Sequence, residues 1–150
     1  MTAWRRVLVA VALAACQRGP PAPAPLDTRN EACAHCRMAV SDARFAAQLV
    51  APREEPRFFD DVGCLRDFLA AHPARPRDEV AWVADHRTKA WIRAARAAYA
   101  RVPGLQTPMD TRLVAHADAA SRAADPAAAG GTPLRAAEVF GPAGPPDGAP

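Results

Sequence analysis

Residues 57–71, RFFDDVGCLRDFLAA, contain the clearest secondary-structure pattern of this chain. The first three residues predict a short strand that ends in two acidic residues. Asp60 or Asp61 can accept hydrogen bonds from the free backbone amides at the start of a helix, which is the usual role of an N-cap. Apolar side chains then recur on one helical face up to about Ala71, and His72 and Pro73 end the helix. The stretch therefore predicts a strand followed at once by an amphipathic helix.

Strands are predicted on both sides of this stretch. Residues 43–51 indicate a strand that returns through an acidic turn at Glu54 and Glu55. Residues 79–85 indicate a strongly apolar strand. Together these segments predict a β-β-α-β unit.

A second unit of the same order is predicted in the rest of the chain. Its predicted strands cover residues 89–94, 98–102 and 112–116, its helix runs from the Asp118 cap to about Ala124, and a strand and turn cover residues 132–140. Helices on one face of antiparallel sheets are typical of the α+β class. We expect one small α+β domain over residues 32–140, built from two β-β-α-β-like units.

The N-terminal residues predict an exported lipoprotein. Arg5 and Arg6 precede a short apolar run within residues 1–15, which is the pattern of a signal peptide and too short for a membrane-spanning helix. Leu-Ala-Ala-Cys at positions 13–16 is similar to the bacterial lipobox, in which Cys16 becomes the acylated first residue of the mature protein. Ordinary secretory cleavage after Ala15 is the alternative.

Proline-rich segments border the predicted domain. Residues 16–31 contain prolines at positions 20, 21, 23 and 25, which predict an extended, semi-rigid spacer between the lipidated cysteine and the domain. Residues 141–150 consist of Pro, Gly and Ala with one Asp, and they offer too little apolar surface to order themselves. We expect a disordered C-terminal tail.

The charge of the chain argues against a nucleic-acid partner. The sequence has 19 Lys and Arg residues against 16 Asp and Glu residues, and loss of Arg5 and Arg6 with the signal peptide nearly balances them. The remaining arginines are scattered along the chain, whereas a nucleic-acid-binding protein concentrates them in a patch.

Soft ligands gather near the start of the domain. Cys33, Cys36 and Met38 lie in the sequence C-A-H-C-R-M, and Met109 follows Pro108 in a turn-like context that packing explains poorly. Thiolate and thioether sulfur favour Cu(I) over hard ions. The sequence therefore predicts a Cu(I) site formed by Cys33, Cys36, Met38 and Met109.

Other roles for these residues stay open at this point. Cys33 and Cys36 could form a structural disulfide in an oxidising compartment, or serve as the redox pair of a thiol-disulfide oxidoreductase. A zinc site is a third alternative, although one C-x-x-C supplies only two of four ligands. Cys64 is interpreted as a buried helix residue. His35 lies inside the cysteine loop and could be a borderline ligand, although it is expected to be exposed. His72, His86 and His116 are interpreted as structural, and His116 is the one for which this interpretation is weakest.

The combined motifs resemble the NosL family of nitrous oxide reductase accessory lipoproteins. The matching pieces are the lipobox Cys16, Cys33-x-x-Cys36-x-Met38, the stretch 41–48, Phe59-Asp60-Asp61-x-Gly63, Asp85, Trp91-Ile92, Ala98-Tyr99, Pro108-Met109 and the segment 115–120. The resemblance implies a non-enzymatic Cu(I)-binding protein with paired β-β-α-β units. It also implies a lipid anchor in the bacterial envelope, a periplasmic orientation and, with Gln17 after the cysteine, retention at the outer membrane. The implied partner is nitrous oxide reductase or a similar copper enzyme, or a copper-handling membrane complex.

Three positions depart from the family pattern. Arg37 and Asp110 stand where the family usually has glycine, and His116 replaces an aromatic residue. Glycine is favoured where the backbone needs a positive φ, so Arg37 is expected to alter the turn or reduce stability. These departures indicate a divergent member of the family.

Overall fold

The computed structural model describes residues 19–148, which form seven strands and three short α-helices. The predicted signal peptide and Cys16 lie outside the described residues. The first part comprises β1 (Ala47–Val50), β2 (Arg57–Phe59), α1 (Val62–Ala71), β3 (Val80–Ala84) and β4 (Trp91–Arg93). The second part comprises a 3-10 turn (Ala94–Arg96), β5 (Ala98–Arg101), β6 (Leu113–His116), α2 (Ala119–Ala123), a 3-10 turn (Pro126–Ala128), β7 (Thr132–Leu134) and α3 (Ala136–Phe140).

The strands form two antiparallel sheets with the orders β2-β1-β3-β4 and β6-β5-β7. In each β-β-α-β unit the first strand is central, and the second and last strands flank it. This repeated order confirms the predicted α+β fold of two similar units. The assignment of residues 89–94 to the second unit is wrong, because β4 pairs with β3 and extends the first sheet.

The helix α1 begins where its sequence predicts. The Asp61 carboxylate caps it by accepting a hydrogen bond from the backbone N–H of Gly63, at 2.5 Å. The helix buries Leu65, Phe68 and Leu69 among other side chains in the main core, and burial of each such side chain stabilises the fold by about 1.5–3 kcal/mol. Any side chain at position 63 would collide with Thr111, so glycine there lets α1 approach the second unit closely.

Asp85 joins the two units. This buried residue follows β3, and one carboxylate oxygen accepts hydrogen bonds from the backbone N–H groups of Arg87 and Thr88. The other oxygen accepts from the backbone N–H of Ala117 at 2.8 Å and from Oγ of Ser121 at 2.7 Å, both in the second unit. Burial opposes ionisation, but these hydrogen bonds lower the pKa of Asp85 to about 2. The carboxylate is therefore an ionised link between the sheets.

The second helix is also confirmed, whereas the end of the domain differs from the prediction. The Asp118 carboxylate caps α2 by accepting from the backbone N–H of Ser121 at 2.7 Å. The strand expected over residues 132–140 is only three residues long, and the chain then forms α3 where a turn was expected. Val139 of α3 is buried in the main core, which explains why this short segment is helical.

Both border segments pack against the domain. The backbone of Ala24 forms two hydrogen bonds with the buried side chain of Gln48, so the predicted spacer is docked from this point on. At the other end, Asp147 pairs with Val80, the first residue of β3, and its carboxylate accepts from Nη1 of Arg93 at 2.9 Å. The prediction of a disordered tail is therefore wrong for residues 141–148. Backbone pairing and an ion pair fix a segment that has little apolar surface of its own.

Residues 19–148 contain no helix of the length and apolar character that crossing a bilayer requires.

Candidate metal centre

Cys33 and Cys36 lie in a tight turn that leads into the domain. The backbone N–H of Cys33 donates to the carbonyl of Met38 at 2.7 Å, and the N–H of Arg37 donates back to the carbonyl of Cys33 at 3.0 Å. Arg37 has a φ of 68°, so an arginine adopts the left-handed backbone that glycine would adopt without strain. Ala34 ties the turn to the first sheet, because its N–H donates to the carbonyl of Phe58 at 2.8 Å.

Two further side chains meet this turn. Cys33, Cys36, Asp60 and Cys64 each offer a ligand atom, and these atoms lie within 4.8 Å of one another. Sγ of Cys36 lies 3.4 Å from Oδ2 of Asp60, and the backbone N–H of Cys36 points to Sγ of Cys33 at 3.5 Å. Cys33, Asp60 and Cys64 are buried, whereas Cys36 is partly exposed. We call these four residues the thiol cluster.

The structure thus adds Asp60 and Cys64 to the two predicted cysteines. Cys64 is buried in α1 as expected, but its thiol also faces the turn that carries the C-x-x-C motif. Asp60 and Asp61 were both attributed to the helix N-terminus, and only Asp61 serves as the cap. Two features of the sequence could have indicated these residues, namely the second carboxylate beside the cap and the third cysteine in the first turn of the helix.

Burial controls the protonation of the thiol cluster. It raises the pKa of Cys36 to about 11 and also raises the pKa of Cys64. Both thiols are therefore protonated at neutral pH without a metal, and Cys36 donates its proton towards Asp60. A metal ion that binds here displaces thiol protons. Oδ1 of Asp60 is buried and has no hydrogen-bond partner among the described protein atoms, so this oxygen is free to bind a ligand.

The two predicted methionine ligands lie at the surface. Met38 is 61% exposed and Met109 is 42% exposed, and they are the exposed large hydrophobic residues of the described chain. Met109 contacts the start of α1, because its backbone N–H donates to Oδ2 of Asp61, the chain neighbour of Asp60, at 3.3 Å. The next residue, Asp110, has a φ of 52° and occupies the second position where glycine was expected.

The structure can be compared with the disulfide and zinc alternatives for the cysteines. Cys33, Cys36 and Cys64 are free thiols in the described part of the chain. His35 is exposed as expected, whereas His86 and His116 are buried away from this turn. Zinc also becomes a candidate ion, since Cys64 and Asp60 raise the number of available ligands to four. The cluster can hold a soft or borderline metal ion.

Comparison with known proteins identifies the family. The family model described as NosL matches residues 23–141. No curated protein and no solved structure gives a significant match. The matched range begins near Ala24, where the chain docks on the domain, and it includes the whole thiol cluster. Over most of its length, therefore, this chain belongs to the NosL family.

Proposed function

We propose that the protein is a Cu(I) carrier of the bacterial envelope. In this proposal Cys16 carries the lipid anchor, the domain faces the periplasm from the outer membrane, and copper passes to an extracytoplasmic enzyme such as nitrous oxide reductase. Membership of the NosL family and the thiol cluster are both compatible with copper binding. The observation that carries the proposal is the convergence of three free thiols from two separate segments.

The ligand chemistry favours Cu(I). Three sulfur atoms provide a soft donor set, and soft sulfur ligands select Cu(I) over hard ions. Protonated thiols in the metal-free protein mean that copper must compete with protons, which keeps binding reversible. A carrier needs this property because it has to release its cargo.

The exposed methionines suit the exchange step. Thioether sulfur carries no proton that copper must displace, and Met38 and Met109 can be reached by a partner while the thiols of Cys33 and Cys64 cannot. We infer that Cys33, Cys36 and Cys64 retain copper, and that Met38 and Met109 are the ligands exchanged on entry and release. In this proposal the four ligands predicted from the sequence, joined by Cys64, divide into a thiol set that retains copper and a methionine set that exchanges it.

Catalysis of thiol-disulfide exchange fits these residues less well. A redox-active thiol needs a lowered pKa, which oxidoreductases obtain at a helix N-terminus or beside a positive charge. Cys36 lies in a turn, and burial raises its pKa to about 11. Cys33 is completely buried.

Competition for Cu(I) tests the proposal. The reduced full-length chain would be titrated anaerobically with Cu(I) in the presence of a chromophoric chelator. We expect one tightly bound ion, at least tenfold weaker binding in Cys36→Ser, weaker binding in Met109→Ala, and unchanged binding in the control variant Cys16→Ser. No competition with the chelator would reject the carrier function.

Delivery requires a separate experiment. The copper-loaded chain would be mixed anaerobically with copper-free nitrous oxide reductase, and copper would be measured in each protein after separation. Transfer that is slowed by Met109→Leu, at equal copper loading, supports the proposed exchange role. Copper that stays on the loaded chain would reject this enzyme as the recipient.

A further inference from the structure

A second group of ligand-type side chains lies in the core, apart from the thiol cluster. His86, His116 and Asp125 offer one ligand atom each, and these atoms lie within 4.8 Å of one another. All three residues are buried, and His116 is completely so. The group spans the two units, because His86 follows β3 while His116 ends β6.

One carboxylate oxygen holds both rings. Oδ2 of Asp125 lies 2.6 Å from Nδ1 of His86 and 2.9 Å from Nε2 of His116. Oδ1 of Asp125 accepts from the backbone N–H of Ala127 at 3.0 Å, which fixes the orientation of the carboxylate. The ring of Phe45 packs against His86 with 5.1 Å between ring centres and forms an apolar wall. The three side chains are therefore held in place before any ligand binds.

Each ring also has a nitrogen that nothing pairs with. Nε2 of His86 and Nδ1 of His116 are buried and have no hydrogen-bond partner among the described protein atoms. A neutral imidazole carries its proton on either nitrogen, and no described protein atom fixes the proton on these two. Each ring can therefore hold its proton on this unpaired nitrogen and present the lone pair of its other nitrogen, Nδ1 of His86 or Nε2 of His116, to an ion that enters beside Oδ2 of Asp125.

We propose that His86, His116 and Asp125 form a second metal site, for a borderline divalent cation such as Zn²⁺. Two imidazoles and one carboxylate are a donor set that Zn²⁺ accepts in proteins, with bonds of about 2.0–2.2 Å. Around such an ion, neighbouring ligand atoms lie roughly 3.3 Å apart. The rings therefore have to separate from Oδ2 of Asp125 by well under 1 Å. The nitrogen and oxygen ligands distinguish this site from the sulfur-rich thiol cluster.

Cobalt is the probe that tells the two sites apart. The full-length chain would be titrated with Co²⁺ under reducing, anaerobic conditions and then with Zn²⁺. Binding to thiolates produces an intense sulfur-to-metal charge-transfer band, whereas binding to nitrogen and oxygen ligands produces only the weaker visible d–d bands. We expect d–d bands that Zn²⁺ removes, whether or not Cu(I) already fills the thiol cluster. Absence of cobalt d–d bands once Cu(I) fills the thiol cluster would overturn the proposal.

Two variants remove the ligands while keeping the hydrogen bonds. The side-chain amide of His86→Asn can replace Nδ1, and that of His116→Gln can replace Nε2, so both variants still donate to Asp125. With Cu(I) filling the thiol cluster, each should weaken Zn²⁺ binding at least tenfold, and His72→Asn, at an exposed histidine, should leave it unchanged. Unchanged Zn²⁺ binding in both core variants would show that these residues form only a hydrogen-bonded tie, and the proposal would fall.

A measurement on the unaltered chain covers the case in which the variants do not fold. Ring ¹⁵N shifts of the four histidines would be recorded before and after Zn²⁺ is added. We expect His86 and His116 to change while His72 does not, together with a rise in the unfolding temperature of about 3 °C or more. No change at either buried ring would contradict the site.

Discussion

The thiol of Cys36 lies 3.4 Å from the carboxylate of Asp60, although 24 positions separate them in the chain. The contact connects the C-x-x-C turn to the residue just before the cap of α1. It places a hard oxygen ligand among three soft sulfur ligands. The preference of the site for copper or zinc therefore depends on how much each metal uses this oxygen.

Asp60→Asn tests that dependence. Because Cu(I) is expected to bind through sulfur, its affinity should change by less than about threefold, whereas Zn²⁺ affinity at the thiol cluster should fall at least tenfold. Chelator competition with each metal measures both affinities. A large loss of Cu(I) affinity with no loss for Zn²⁺ would contradict the assignment of the thiols as the copper ligands.

The positive φ angles at Arg37 and Asp110 predict two stabilising substitutions. A left-handed conformation is unfavourable by about 1–2 kcal/mol for a residue with a side chain, and greater freedom of glycine in the unfolded chain offsets part of this. Arg37→Gly should raise the free energy of unfolding by about 0.5–1 kcal/mol, and Asp110→Gly by somewhat less, since Asp tolerates this conformation better. Chemical denaturation measures both effects.

A matched substitution within a helix should have the opposite sign. Arg66→Gly in α1 should lower the free energy of unfolding by about 1 kcal/mol, because glycine is a poor helix former. Equal losses at positions 37 and 66 would show that the turn at Arg37 is not strained.

Ser121 should stabilise the contact between the two units. Its hydroxyl donates to the buried carboxylate of Asp85 at 2.7 Å. Ser121→Ala should reduce the free energy of unfolding by about 1–2 kcal/mol, since a buried carboxylate loses a donor. The exposed Ser41 provides the control, and Ser41→Ala should have an effect within about 0.5 kcal/mol. Equal effects of the two substitutions would show that the hydrogen bond between Ser121 and Asp85 does not stabilise the contact between the two units.

The buried carboxyl group of Glu79 should make the stability of the fold depend on pH. Burial raises its pKa, although Arg57 donates to Oε1 at 2.8 Å and Arg75 lies 3.2 Å from Oε2 without a well-aligned hydrogen bond. A carboxyl with a raised pKa in the folded state binds its proton more tightly there than in the unfolded chain. Its contribution to stability is therefore present below its ordinary pKa of 4.5 and is lost as the pH rises through the raised value.

The comparison with Glu79→Gln isolates that contribution. The free energy of unfolding of the wild type, relative to this variant, should fall as the pH rises from about 4 to 7. Denaturation at several pH values measures the difference. A difference that stays constant or grows with pH would contradict the raised pKa.

Local signals explain which parts of the fold could be predicted. The caps Asp61 and Asp118 and the apolar face of α1 are properties of neighbouring residues, and both helices begin where these residues indicate. The place of β4 depends on pairing with β3, which is a choice between distant strands that the sequence pattern does not encode. The same holds for Asp147, whose order depends on contacts with Val80 and Arg93.

Only part of the candidate site could be predicted, because only some of its residues are close together in the sequence. Spacing along the chain reveals Cys33 and Cys36 because they are close in sequence. Cys64 and Asp60 join them only after α1 packs against the turn, so their contribution depends on tertiary structure. His116 was singled out as the least ordinary histidine, but its partners His86 and Asp125 come from other segments and could not be predicted from spacing.

In the proposed function, Cu(I) binds to the sulfur atoms of the thiol cluster. X-ray absorption at the copper edge, on the reduced chain loaded with one Cu(I), counts the sulfur neighbours directly. We predict a first shell dominated by sulfur, with one sulfur fewer or a much lower copper content in Cys64→Ser. A first shell of nitrogen and oxygen, unaffected by Cys64→Ser, would contradict the claim.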